Sequence, residues 1–185
     1  MMANQVIFFH GGGSMEDYEA DKKLVESLEG YLKPSYVFHY PFLPDDGSPD
    51  LGRRQQINQA ISESKDGVIL VAHSLGASML LACLSEFSFE RRIKAVFLVA
   101  TPFWEGSEDW VKPFKLRQDF AEKLDKNIPL FFYHCHDDEE VPIAQLAMYR
   151  QQLEWATFRE ISVGGHQFND DLSIVAADVR SLAKA

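Results

Sequence analysis

Four short runs in this chain are almost unbroken in apolar residues: Val6–Phe9 (VIFF), Val68–Ala72 (VILVA), Ala95–Ala100 (AVFLVA) and Pro129–Tyr133 (PLFFY). A strand with one wet face alternates apolar and polar side chains, but a strand covered on both faces reads as a near-continuous apolar run. The runs therefore predict a sheet with helices packed above and below it. With their flanks and two further β-rich stretches, they place strands over Gln5–Phe9, Ser35–Tyr40, Gly67–Ala72, Lys94–Ala100, Pro129–His134 and Thr157–Val163.

Between the strands, apolar residues return at helical steps of three and four. Tyr18, Leu24, Val25, Leu28, Tyr31 and Leu32 form one such stripe. Ile143, Leu146, Ala147 and Leu153 form another, as do Leu172, Val175, Ala176, Val179 and Leu182. Asp50–Ser64 and Leu75–Phe87 supply two more helices. This alternation implies right-handed crossovers, hence an α/β fold with a doubly wound, mostly parallel sheet of about six strands. Ligands bind such sheets beyond the carboxyl ends of the strands, where the strand order reverses.

The chain has 185 residues, enough for one domain over residues 1–185. Its 46% hydrophobic and 25% charged content is that of a globular protein. The net charge of −10 leaves no basic stripe to neutralise phosphates, which excludes nucleic acid as a partner. Arg53-Arg54 and Arg91-Arg92-Ile93-Lys94 read as solvated helix or loop faces. The N-terminus lacks a basic leader segment, and Val6–Phe9 is far too short for a signal or a membrane span. Cys83 and Cys135 suggest no disulfide framework, so the expectation is two reduced thiols in a cytoplasmic protein.

Polar motifs follow the predicted strands. His10-Gly11-Gly12-Gly13 comes after the first, and Ala72-His73-Ser74-Leu75-Gly76 after the third, opening a helix. Asp137-Asp138 follows the fifth, and Gly164-Gly165-His166 the sixth. The chain order Ser, Asp, His is that of a hydrolase triad on an α/β sheet. A serine hydroxyl is a poor nucleophile unless a base lies within hydrogen-bond reach, and imidazole suits because it titrates near neutrality. A carboxylate then fixes the imidazole tautomer and stabilises the imidazolium. Ser74 is the predicted nucleophile, His166 the base, and one of Asp137 and Asp138 the acid. Adjacent residues in an extended segment point apart, so only one aspartate can face His166. The other is expected to face solvent or to cap the helix starting near Pro142.

Taken singly, each motif has an ordinary structural reading. Ser74 and Gly76 would suit a capped helix start, His166 a surface histidine, and residues 137–140 an acidic loop before a helix. Their joint order, each after a strand at one sheet edge, is what points to chemistry. His10 is expected to brace the glycine loop, and His73 to flank the serine without acting as base. His134, Cys135 and His136, with His39, raise the thought of a metal. However, successive strand residues alternate faces and no second cluster has suitable spacing, so no metal or cofactor is predicted.

On HGGG, AHSLG, HDDEEVP (residues 136–142) and GGH, the chain resembles the α/β-hydrolase superfamily, and within it the small, capless hydrolases similar to retinoblastoma-binding protein nine. The resemblance covers nearly the whole chain. It implies that Asp138, three residues before Val141-Pro142, is the acid, and that Gly12 and Leu75 supply the oxyanion-binding N–H groups. The turn before the nucleophile usually carries Gly two residues ahead of the serine, where this chain has Ala72. The Leu-x-Cys-x-Glu motif tied to retinoblastoma binding is also incomplete, because Leu81-Ala82-Cys83-Leu84 is followed by Ser85. That partner is not carried over.

A cap domain usually inserts after the fourth strand in larger relatives. Here only about 28 residues separate Ala100 from Pro129, room for little more than one helix and a flap. Of the aromatics in that stretch, Phe120 reads as core, while Phe103 and Trp104 follow a strand end and are the candidates for an apolar substrate pocket. The expected activity is hydrolysis of small or medium carboxylic esters, with thioesters and amides as further options. The competing reading is a non-catalytic interaction protein on the same fold. A third is another chemistry, such as lyase or perhydrolase activity, on the same scaffold.

Overall fold

A computed structural model describes residues 4–182. Its centre is a six-stranded, wholly parallel sheet in the order β2-β1-β3-β4-β5-β6. The strands are β1 (Asn4–Phe9), β2 (Tyr36–His39), β3 (Val68–His73), β4 (Ile93–Val99), β5 (Leu130–Cys135) and β6 (Thr157–Ile161). The main helices are α1 (Met15–Leu32), α2 (Arg53–Ser62), α3 (Leu75–Glu86), α4 (Phe120–Lys123), α5 (Ala144–Gln152) and α6 (Ser173–Ser181). The doubly wound α/β arrangement is the one expected, and among the described residues the sheet contains no antiparallel strand.

The apolar runs are buried as their composition demands. All six residues of β3 are buried. Successive side chains serve opposite layers: Ile7, Phe9, Leu70 and Ala72 join α2, α3, α4 and α5 on one face. Val6, Phe8, Ile69 and Val71 meet α1 and α6 on the other. The β6 edge strand, by contrast, has no fully buried residue and ends at Ile161 rather than Val163. The second helix starts at Arg53 rather than Asp50, because Gly52 takes the left-handed conformation with φ 73°.

Local chemistry sets the site-bearing ends. Ser14 caps α1: its side chain accepts the Asp17 N–H, and the Asp17 carboxylate accepts the Ser14 N–H in return. Between β4 and β5 stand only a single 3-10 turn (Lys112–Phe114) and the one-turn α4, with no separate cap. Phe120 is buried there as expected. Among the described residues no helix is long and apolar enough to cross a membrane.

The chain leaves β1 towards one edge of the sheet and β3 towards the other. The strand order therefore reverses between β1 and β3. The loops that diverge there leave a crevice at the carboxyl ends of these two strands.

Candidate active site

Ser74 sits in that crevice, on the turn from β3 into α3, with φ 52° and ψ −124°. This region is unfavourable for a residue with a Cβ and costs on the order of 1–3 kcal/mol, a strain the surroundings must hold. They do so from both sides. The Ser74 N–H is bonded to the Val99 carbonyl at 2.8 Å. Gly76 lets α3 start hard against β1: a Cβ there would overlap the His10 carbonyl oxygen and stand 2.8 Å from that of Phe9. Gly11 is similarly close, with only 3.0 Å between the Ser74 Cβ and any Cβ placed on it. The small residue two places before Ser74, Ala72, is fully buried.

The three distant motifs meet at Ser74. His166 Nε2 lies 2.9 Å from Ser74 Oγ. On the other side of the ring, Nδ1 lies 2.9 and 3.1 Å from the two oxygens of Asp138. Asp138 Oδ1 also accepts the N–H groups of Glu140 and Val141, each at 2.9 Å. Burial works against the ionised carboxyl, but the hydrogen bonds from His166, Val141 and Glu140 outweigh it and hold the Asp138 pKa below the ordinary value. The carboxylate stays charged, and its acceptance from Nδ1 leaves Nε2 free to accept from the serine hydroxyl.

The neighbouring Asp137 is exposed, as expected of the second aspartate, but it does not cap the next helix. Its Oδ1 accepts the N–H groups of Gly164 and Gly165, at 2.9 and 2.8 Å. Gly165 has φ 63°, and a Cβ on Gly164 would stand 2.8 Å from Cys135 Sγ. Two glycines therefore permit the tight turn that delivers His166, and Asp137 ties that turn to the end of β5.

Gly12, φ 55°, lines the same cleft, where a Cβ would collide with the Asp17 carboxyl. Among the described residues its N–H and that of Leu75 make no internal hydrogen bond, and both residues border the crevice beside Ser74. The Gly12 carbonyl is held by Arg53 Nη2 at 2.9 Å. Arg53 is fully buried, not the solvated residue its basic neighbour suggested; its other terminal nitrogen bonds the Leu43 carbonyl. Arg54 is also engaged, with Asp50 and Glu86. Arginine can be buried here because backbone carbonyls meet both of its terminal nitrogens, while its Nε–H has no partner among the described residues.

The remaining histidines divide by their partners. His10 Nδ1 lies 2.6 Å from the Gly11 carbonyl, while its Nε2 accepts the Leu43 N–H, so the ring is neutral and braces the loop. Burial lowers its pKa accordingly. His73 lies against Asp21, a buried carboxylate on α1 that the helical stripe had passed over. Asp21 stands three residues after Tyr18 and three before Leu24, so an acidic residue in the middle of an apolar face was the signal available. His134 is buried with Nε2 2.7 Å from the Val141 carbonyl, while His136 is exposed beside Glu160. Among the described residues no three metal-binding side chains are grouped. Cys83 and Cys135 are free and fully buried.

The crevice is about 800 Å³, within the usual range for small-molecule sites, and open to solvent. Phe103, Trp104, Trp110, Val111 and Val141 supply its apolar lining, and Gly11 and Gly12 border the same crevice. Trp104 is fixed by its Nε1–H bond to Ser78 Oγ at 2.9 Å and by packing on Trp110 and Phe114. Phe103 packs edge-on against Tyr149, and its N–H bonds Gln145.

Solved structures share this architecture over almost the full chain. The protein from Thermus thermophilus known as TT1662 is similar with a TM-score of 0.75 and 17% identity, over 99% of this chain and 90% of that one. The ydeN product of B. subtilis gives 0.69 and 19%, over 99% and 100%. The esterase domain of a Rhodothermus marinus protein gives 0.68 and 17%, over 98% and 86%. At such identities the likeness establishes the fold, that of a small, capless α/β hydrolase. No curated protein matches the sequence closely enough to count. The family described as serine hydrolase matches residues 53–171, a span that includes Ser74, Asp138 and His166. The chain belongs to the serine hydrolase family.

Proposed function

We propose that the protein hydrolyses small or medium carboxylic esters through an acyl-enzyme on Ser74, with His166 as general base and Asp138 as the orienting acid. The observation that carries this reading is the unbroken hydrogen-bond chain from Asp138 through His166 to Ser74 Oγ at the floor of an open cleft. Ser74 Oγ attacks the ester carbonyl carbon as His166 Nε2 takes its proton. The carbonyl electrons move onto the oxygen, which the N–H groups of Gly12 and Leu75 receive; each such donor is typically worth about 2.7–4 kcal/mol. Collapse breaks the bond to the alcohol, which leaves with the proton from His166. Water repeats the sequence on the acyl-enzyme, releasing the acid and restoring Ser74. Thioesters and amides fit the same steps with a different leaving group.

A fluorophosphonate probe tests the reading directly. The protein should be labelled at Ser74, and Ser74→Ala should lose labelling together with ester hydrolysis, by roughly 10⁴–10⁶ in turnover. Unlabelled, inactive wild-type protein would return the fold to the interaction-protein reading. Ser74→Ala retaining more than a few per cent of activity would remove Ser74 from its role.

A further inference from the structure

The steps above leave one buried charged pair without a task. Asp21 and His73 are 2% and 1% exposed, with Asp21 Oδ2 2.9 Å from His73 Nδ1. The same Asp21 oxygen accepts the Gly11 N–H at 2.7 Å, and its Oδ1 accepts from Gln167 Nε2 at 3.1 Å. The other ring nitrogen of His73, Nε2, lies 2.9 Å from the His166 carbonyl oxygen. A carbonyl oxygen can only accept, and so can an ionised carboxylate, so both ring nitrogens of His73 donate and the ring is an imidazolium. Burial opposes that charge, but the Asp21 carboxylate and the two hydrogen bonds outweigh it and hold the His73 pKa above the ordinary value. On Asp21 the same partners overcome burial in the opposite direction and hold its pKa down.

The partners are the neighbours of the reacting groups. Gly11 precedes Gly12, His73 precedes Ser74, and Gln167 follows His166. We propose that the Asp21–His73 ion pair is a positioning pair for hydrolysis, holding from one buried point the three loops that carry Gly12, Ser74 and His166. The inference rests on the hydrolytic reading of the site.

Physical reasoning favours a positioning role over a stabilising one. A buried ion pair adds little to stability relative to apolar side chains of the same volume, because desolvation offsets the attraction. Its directional bonds, however, fix relative placement, and catalytic rates are lost when reacting groups move by about 1 Å. The pair is also net neutral. The His73 and His166 rings are 4.7 Å apart between centroids, so an unpaired charge on His73 would oppose the charge that His166 acquires in the transition state. The charged and titratable groups facing His73 are Asp21 from α1, Asp138 from the loop after β5, and His166 from the loop after β6.

Asp21→Asn is the diagnostic variant. The new NH₂ either faces the Gly11 N–H and His73, or takes the Oδ1 place, where Gln167 must turn its amide to accept it; either way His73 loses its counter-charge. With a p-nitrophenyl ester as substrate, kcat should fall by about 10²-fold while KM stays within about threefold. A folded variant with kcat within about threefold of wild type would overturn the proposal. Should Asp21→Asn fail to fold, His73→Gln, which cannot donate to both partners at once, takes the same kcat-against-KM test. The wild-type protein supplies a readout independent of any variant: side-chain ¹⁵N spectra at pH 6.5, the ordinary imidazole midpoint, should show both ring nitrogens of His73 protonated. A neutral tautomer there would overturn the proposal as well. Failure of Ser74 to take the fluorophosphonate in wild-type protein would instead sink the hydrolytic reading. A labelled, active wild type with an equally active Asp21→Asn variant sinks only the positioning pair.

Discussion

Exchanging one oxygen of Asp138 for NH₂ should disable the site while leaving the fold almost unchanged, and the geometry shows why. Asp138 Oδ1 accepts two backbone N–H groups at 2.9 Å, from Glu140 and Val141, while Oδ2 faces His166 Nδ1 at 2.9 Å. In Asp138→Asn the amide oxygen will take the Oδ1 place, because the flipped orientation would turn NH₂ against two backbone donors. The NH₂ then points at Nδ1, which can receive it only by giving up its own proton. His166 is driven to the tautomer with hydrogen on Nε2, where it can no longer accept from Ser74 Oγ at 2.9 Å. Loss of the orienting carboxylate in this way costs about 10⁴ in kcat, or about 5.4 kcal/mol in barrier height. Both backbone bonds survive, so the fold should persist and stability should fall only by what the ionised carboxylate adds. The neighbour provides the control. Asp137 Oδ1 accepts both the Gly164 and Gly165 N–H groups, and Oδ2 only shares the Gly164 N–H at a longer 3.2 Å, so Asp137→Asn keeps the shorter bonds through its amide oxygen and should lose less than about tenfold. The assay is steady-state ester hydrolysis by both variants, with melting curves alongside. If Asp138→Asn kept more than about 1% of kcat, or if the two variants ranked in reverse, the tautomer argument would fail.

Three further outcomes follow from the geometry. Gly76→Ala must push α3 away from β1, because its Cβ would overlap the His10 carbonyl; it should cost about 1–3 kcal/mol or more in urea unfolding and lower activity with it, and a wild-type midpoint would refute the close approach. Asp17, Asp21 and Asp138 have pKa values below their unfolded value of 3.8, so the stability they add is present above that pH and is lost as pH falls through the folded values. His73 is shifted above 6.5, so its contribution is complete below that pH and is lost as pH rises through the raised value. The urea midpoint should therefore fall below pH 4 and also as pH rises from 6.5 through the raised His73 value, and a midpoint climbing steadily over that upper range would contradict the His73 assignment. Finally, the open cleft should favour short and medium acyl chains, since each methylene left in water forgoes roughly 0.8 kcal/mol; specificity constants still rising beyond about twelve carbons would mean that the Phe103–Trp104 wall extends into a longer groove.

The sheet was legible because burial on both faces leaves a local mark. VILVA and AVFLVA can only be central strands, and they are β3 and β4. The order of Ser74, Asp138 and His166 after successive strands was legible for a related reason. A parallel sheet brings every strand's carboxyl end to one edge, so residues 92 and 28 apart in sequence converge. Charged side chains leave no such mark when their partners are remote. Arg53 looked like a solvated base beside Arg54, yet it is buried because it reaches a carbonyl 41 residues away. Asp137 is exposed as expected, yet it also holds a turn 27 residues away, which its position gave no sign of. Asp21 looked like a break in an apolar stripe, and its partner His73 lies 52 residues on. Periodicity reports whether a position is covered. It does not report which donor or acceptor covers it, and for a charged group that partner decides whether burial is tolerable at all. Local sequence thus determined the strands, the helix faces and the edge of the sheet where the polar motifs gather, whereas only the assembled tertiary structure decided how Asp21, Arg53 and Asp137 hold those motifs in place.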